Sequence, residues 1–145
     1  MSKIEFSIRV EELGGGGAQT VVPVIDGISL IELARRVEAG PAAASGEADL
    51  AGRYAGLVIG EREWQQWYTG ENPQIWFDDA DSCLLGCTCG ETGCWPLTAR
   101  IAYGRHEVRW SSFRTGHRPW NLTGLGPFRF DRNAYDRALR HPTSR

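Results

Sequence analysis

All four cysteines of this chain fall within Cys83-Leu84-Leu85-Gly86-Cys87-Thr88-Cys89-Gly90-Glu91-Thr92-Gly93-Cys94-Trp95-Pro96. The spacing C-x3-C-x-C-x4-C, with Gly90 and Gly93 in its last interval, predicts a hairpin: a strand runs in through Cys83 to Cys89 and a second returns from Cys94. Residues two apart on a strand share a face, so Cys87 and Cys89 are expected to point the same way. The glycines permit a tight connection that folds Cys94 back toward them. Thiols gathered like this are metal ligands, a redox pair or small packed side chains. Zinc suits the set because it accepts tetrahedral thiolate and imidazole ligation. Cys83, His106 and His117 are the candidates for a fourth ligand. The commoner pattern of two separated C-x2-C pairs is absent, and no C-x-x-C opens a helix as a redox motif would. A structural zinc site is therefore the favoured reading, ahead of packed thiols and of redox or catalytic ones.

The compartment bears on that choice. The N-terminus alternates polar and apolar residues with no signal-peptide run, and no window reaches the roughly 18 apolar residues of a membrane span. A soluble, cytoplasmic chain is expected, where thiols stay reduced. At 145 residues it is expected to fold as a single domain, residues 1–145. Arginine outnumbers lysine 15 to 1, the mark of a GC-rich bacterial genome. Residues 1–96 hold 15 acidic and 6 basic side chains, and residues 97–145 hold 10 arginines against Glu107, Asp131 and Asp136. Mutual neutralisation of the two halves is the expectation, with a nucleic-acid footprint as the alternative.

Along the chain, Ile4, Phe6, Ile8 and Val10 alternate with polar residues and predict a half-buried strand. Gly14 to Gly17 then read as a mobile hairpin loop, without the flanking elements a phosphate loop needs. Thr20 to Ile25 is a second strand, with Pro23 implying an edge or a bulge. Ser29 and Glu32 form a capping box ahead of Leu30, Leu33, Ala34 and Val37 on one helical face, with Glu32 and Arg36 paired on the other and Gly40-Pro41 as the stop. Ala42 to Gly52 reads as loop, Tyr54 to Ile59 as a short strand, and Glu61 to Tyr68 as a turn or short helix. Leu97 to Tyr103 and Glu107 to Phe113 are strands joined around Gly104, followed by a loop over Pro119 to Pro127. A last helix starts with Asp131 as cap, with Tyr135, Ala138 and Leu139 inward, and stops at His141-Pro142 near a frayed terminus. The fold class is α+β, a mixed, mostly antiparallel sheet with two helices and a Cys-rich hairpin.

Asp78, Asp79 and Asp81 lack the glycine and terminal glutamate of a calcium loop and read as an acidic loop. No nucleophile elbow, zinc-protease pair or dinucleotide fingerprint is present. Trp64, Trp67, Tyr68, Trp76, Phe77, Trp95, Trp110 and Trp120 are mostly expected in the core. Some of them, beside Arg109, Arg114 and Arg118, suit a protein interface, and stacking on single-stranded nucleic acid is the weaker option. Arg109 and Trp110 face opposite sides of a regular strand, so a basic aromatic platform with Arg105, Arg114, Arg118 and Trp120 needs the loop around His117 to complete it.

The run Gly86-Cys87-Thr88-Cys89-Gly90-Glu91-Thr92-Gly93-Cys94-Trp95-Pro96-Leu97 resembles a segment of small uncharacterised bacterial proteins. Trp110, Phe113, His117-Arg118 and Trp120 are similar as well, as are Gly124-Leu125-Gly126-Pro127-Phe128 and Phe130-Asp131-Arg132 with Tyr135 and Ala138-Leu139. The resemblance covers about residues 84–140 and carries no named activity. It implies a motif of Cys87, Cys89 and Cys94 with His117, and an incidental Cys83. The expected function is a bacterial domain with a structural zinc on its Cys-rich hairpin that works through a protein partner. The alternative is a thiol-dependent enzyme or redox protein using the cluster with His117.

Overall fold

A computed structural model of the chain describes residues 1–60, 64–71, 81–89, 95–116 and 118–144. Among them, the alternating first segment forms β1 (Ile4–Leu13) and pairs antiparallel with β2 (Gly16–Ile25) in unbroken register from Ile4↔Ile25 to Leu13↔Gly16. Gly14 and Gly15 alone make the turn, at φ 56° and 91°, values that favour glycine. Gly16 and Gly17 belong to the strand, so the expected loop of four glycines is a two-residue turn. Pro23 sits in continuous register on the β1 side, with no bulge. On its other side it falls between the residues paired with β3 (Ile28–Ser29) and those paired with β5 (Leu57–Val58). A missing N–H is harmless in such a gap.

Helix α1 (Leu30–Ala44) begins where expected, with the Ser29 hydroxyl accepting from the Ile31 amide at 3.2 Å. The reciprocal half of the capping box is not made: Glu32 instead binds Arg35 at 2.5 Å and Arg36 at 3.2 Å. Gly40-Pro41 does not end the helix. It continues to Ala44 because Leu30, Ala34, Glu38 and Ala42 form one buried stripe at four-residue spacing, and tertiary packing outweighs the local helix breakers. The predicted loop over Ala42 to Gly52 therefore holds the last helical turn and a 3-10 turn, Ala48–Leu50.

The predicted strand Tyr54 to Ile59 is divided between two sheets. β4 (Tyr54–Ala55) pairs with β6 (Ser82–Cys87), whereas β5 pairs with β2. The switch falls at Gly56, where a Cβ would lie 2.7 Å from the Val21 carbonyl oxygen. β7 (Leu97–Tyr103) and β8 (Glu107–Thr115) flank Gly104 as expected, and β9 (Phe128–Asp131) extends that sheet. Helix α2 (Arg132–Arg140) has Asp131 as its cap, bonded to the Ala134 amide at 2.9 Å, and buries Tyr135 and Leu139. Beyond α2, where a frayed segment is expected, β10 (Thr143–Ser144) pairs parallel with β1 at Ser7 and Ile8.

The result is an α+β fold whose described residues form two sheets, ordered β10-β1-β2-β3 with β5 also on β2, and β4-β6-β7-β8-β9. Among the described residues, every pairing but β1 with β10 is antiparallel. Buried side chains from both sheets and both helices form one core cluster, with Phe6, Tyr68, Trp110, Phe130 and Tyr135 at its aromatic centre. No helix among the described residues is long and apolar enough to cross a membrane.

Candidate functional site

Strand β6 carries Cys83 and Cys87 to very different surroundings. Cys83 is fully buried, its Sγ donating to the Leu85 carbonyl at 3.1 Å, and burial pushes its thiol well above the ordinary range. It is a protonated core side chain. Four residues of extended strand also separate it from Cys87 by roughly 13 Å, too far to share one metal ion. Cys87, half-buried, ends the strand directly opposite Tyr54 of β4. Cys89 is exposed in the turn that follows, so strand alternation does not set its direction relative to Cys87.

The hairpin tip of β1 and β2 leans on that turn. A Cβ on Gly14 would lie 2.7 Å from the Cys89 carbonyl oxygen, at a φ of 56° that a side chain tolerates poorly. Substituting Gly14→Ala is expected to cost about 1–2 kcal/mol. It should also speed reaction of the cysteines with a thiol reagent, checked by thermal denaturation and a thiol titration.

Cys94 and His117 lie outside the described residues, as do Trp76, Phe77, Asp78 and Asp79, while Asp81 is buried at the head of β6. The strand ends that flank Cys94 and His117 in sequence lie close together. Leu97 at the start of β7 pairs with both Leu85 of β6 and Thr115 at the end of β8, and the Gly116 amide donates to the Pro96 carbonyl at 2.8 Å. The last residues of β6 and β8 and the first of β7 thus share one end of the sheet. His106 is exposed in the β7–β8 turn at the other end, about 20 Å of strand away, and is no partner for Cys87.

Behind Cys87 lies a polar network that sequence reasoning missed. Glu38, fully buried on α1, accepts from the Gly52 amide at 2.8 Å and from the Tyr54 hydroxyl at 2.5 Å, and Tyr54 is bonded in turn to Thr115. Each hydroxyl has one proton, so with Tyr54 donating to Glu38, Thr115 donates to Tyr54. Burial raises the pKa of Glu38 against the lowering effects of Tyr54, Gly52, Thr115 and Arg118. Burial, with Glu38 second, likewise raises that of Tyr54. The available signal was a carboxylate set in the apolar stripe of α1. Its partners, 16 residues away at Tyr54 and beyond at Thr115, carried no sign of it.

Arg118 closes this end of the sheet. Its guanidinium lies 3.5 Å from the Trp95 ring centroid and 4.9 Å from that of Trp120, and binds Glu47 at 3.1 Å. This contact joins the basic and acidic halves, whereas Arg129–Glu107 and Arg132–Asp136 are internal to the basic half. Trp110 belongs to no surface platform: it is fully buried and Arg109, on the opposite face, is exposed.

Among the described residues, no group of three or more His, Cys, Asp or Glu side chains is arranged to hold a metal. The arrangement can offer a half-buried thiol and an exposed one at the sheet end, backed by the hydrogen-bonded Glu38, Tyr54 and Thr115, with Arg118 held beside them by Glu47, Trp95 and Trp120. The chain matches no known family model, no curated protein and no solved structure.

Proposed function

We propose that this chain is a small cytoplasmic module whose Cys-rich turn is folded by zinc, held by Cys87, Cys89, Cys94 and His117, and that it works by binding a protein partner. The observation that carries this reading is the shared end of β6, β7 and β8. Cys87 is the last residue of β6, Cys94 precedes Leu97 by three residues, and His117 follows Thr115 by two. The donor set is chemically apt, three thiolates and an imidazole being a familiar structural zinc shell. Zinc there would supply folding free energy to a turn that has few apolar side chains of its own.

Metal analysis of the purified protein with a thiol titration tests the reading. One zinc per chain with masked thiols is expected, and Cys89→Ser should lower both metal content and thermal stability. Chelation should release the turn. Free reaction of Cys87, Cys89 and Cys94 in the folded protein, with Cys83 buried and no metal bound, would sink the proposal. The thiol-dependent alternative draws on Cys87 standing opposite Tyr54 of the polar network. It would prevail if Cys89→Ser kept full stability and lost a thiol-dependent activity.

A further inference from the structure

The aromatic side chains of β8 and β9 turn inward, and the outer face of the same strands carries arginine. Ala102, Arg109 and Arg129 stand directly opposite one another across β7, β8 and β9, and Arg100 stands opposite Ser111. Opposed residues share a face and alternate residues keep it, so Arg100, Arg109 and Arg129 form one row over a floor of Ala102 and Ser111. All three arginines are exposed, and Arg105 stands exposed in the adjoining turn. Arg114, opposite Thr98, continues the row but already engages other groups of the protein.

Like charges directly opposite on paired strands destabilise a sheet. Arg109 facing Arg129 is such a pair, and Glu107 offsets it: it binds Arg129 through Nε at 3.0 Å and Nη2 at 2.6 Å, and it acts on Arg109 only through the longer-range field. Among the described residues, the side chains of Arg100 and Arg109 make no hydrogen bond or ion pair. We propose that this row is a docking surface for an extended, carboxylate-rich segment of a partner protein.

Geometry and charge select that occupant. Cross-strand and diagonal neighbours lie about 5–8 Å apart at Cβ, close to the roughly 7 Å between alternate residues of an extended chain. Carboxylates at every second position therefore meet successive guanidiniums, and each repeats the two-nitrogen grip that Glu107 has on Arg129. Small side chains at Ala102 and Ser111 let a backbone approach. A nucleic acid fits less well. Trp110, Phe113 and Phe130 are buried and offer no stacking surface beside the arginines.

The inference rests on the partner-binding half of the proposed function and is independent of zinc. The probe is a short fluorescent peptide alternating Glu and Thr, with a single-stranded oligonucleotide of equal charge for comparison, both followed by anisotropy at low salt. The peptide is expected to bind better than the oligonucleotide. The double substitution Arg100→Ser with Arg109→Ser should weaken it about tenfold or more. Arg137→Ser, exposed on α2, should change it less than about twofold. Circular dichroism and metal content should be unaltered in each variant. Absent peptide binding, peptide binding insensitive to the double substitution, or a preference for the oligonucleotide would each overturn the inference. So would loss of peptide binding in a folded Cys89→Ser protein, which would move the contact to the cysteine turn. Failure of the zinc proposal alone would appear as missing metal with the arginine-dependent binding intact.

Discussion

Replacing Trp110 by alanine is expected to destabilise the protein by about 3–5 kcal/mol, against a total of about 5–15 kcal/mol for an ordinary domain. Trp110 is fully buried on β8 and stacks with Tyr68 at 6.1 Å between centroids. It meets Phe130 edge-on at 5.1 Å and Tyr135 at 6.1 Å. Its Nε1–H donates to the Tyr135 hydroxyl at 3.1 Å, and that hydroxyl donates to the Tyr68 carbonyl at 2.5 Å. Truncation thus opens a cavity where both sheets and α2 meet, and it also removes the donor to a buried oxygen. Urea denaturation checks it: the midpoint should fall sharply with little change in slope. Trp110→Phe keeps most of the ring and should lose less. A loss under about 1 kcal/mol for alanine would contradict the packing described.

Glu38 should govern a distinctive part of the pH dependence. Its pKa is raised chiefly by burial, so the folded state holds its proton more tightly than the unfolded chain. The stability this contributes is fully present below the unfolded carboxyl value, near 4.5, and is lost as pH rises through the folded one. Glu107, held low mainly by Arg129, contributes in the opposite direction. Comparing variants isolates Glu38. Glu38→Gln should resemble the native protein at acid pH and keep more of its stability toward neutrality. Glu38→Ala should cost about 3 kcal/mol at acid pH, because it leaves the Gly52 amide and the Tyr54 hydroxyl without their buried acceptor, and less toward neutrality, where the native protein has itself lost the contribution of Glu38. Denaturant midpoints at a series of pH values read both effects. Parallel profiles for the native and Gln proteins would rule out the raised pKa.

Features encoded over a few neighbouring residues were legible in advance. The alternation at Ile4, Phe6 and Ile8, the caps Ser29 and Asp131, and the turn around Gly104 each act through contacts within a strand or a helical turn. They led to β1, the start of α1 and α2, and the β7–β8 hairpin. The opposite orientation of Arg109 and Trp110 followed from strand geometry alone. The cysteine turn was legible as a reversal after β6, though its metal chemistry stays a proposal.

Other features depend on what lies across the molecule. Gly40-Pro41 is a local stop signal, yet Ala42 is fully buried and the helix runs through it. Tyr54 to Ile59 reads as one short strand, but β4 and β5 join different sheets because β2 and β6 each offer an open edge there. The short β10 forms only because β1 presents Ser7 and Ile8 to it. The site follows the same division. Sequence alone determined the residues of the cysteine turn and the unequal charge of the two halves. Tertiary structure alone decided that Cys83 is core, that Glu38 is buried against Tyr54, and that Arg100, Arg109 and Arg129 share one open face. Those outcomes rest on pairings between distant strands, whose free energy no short stretch of sequence contains.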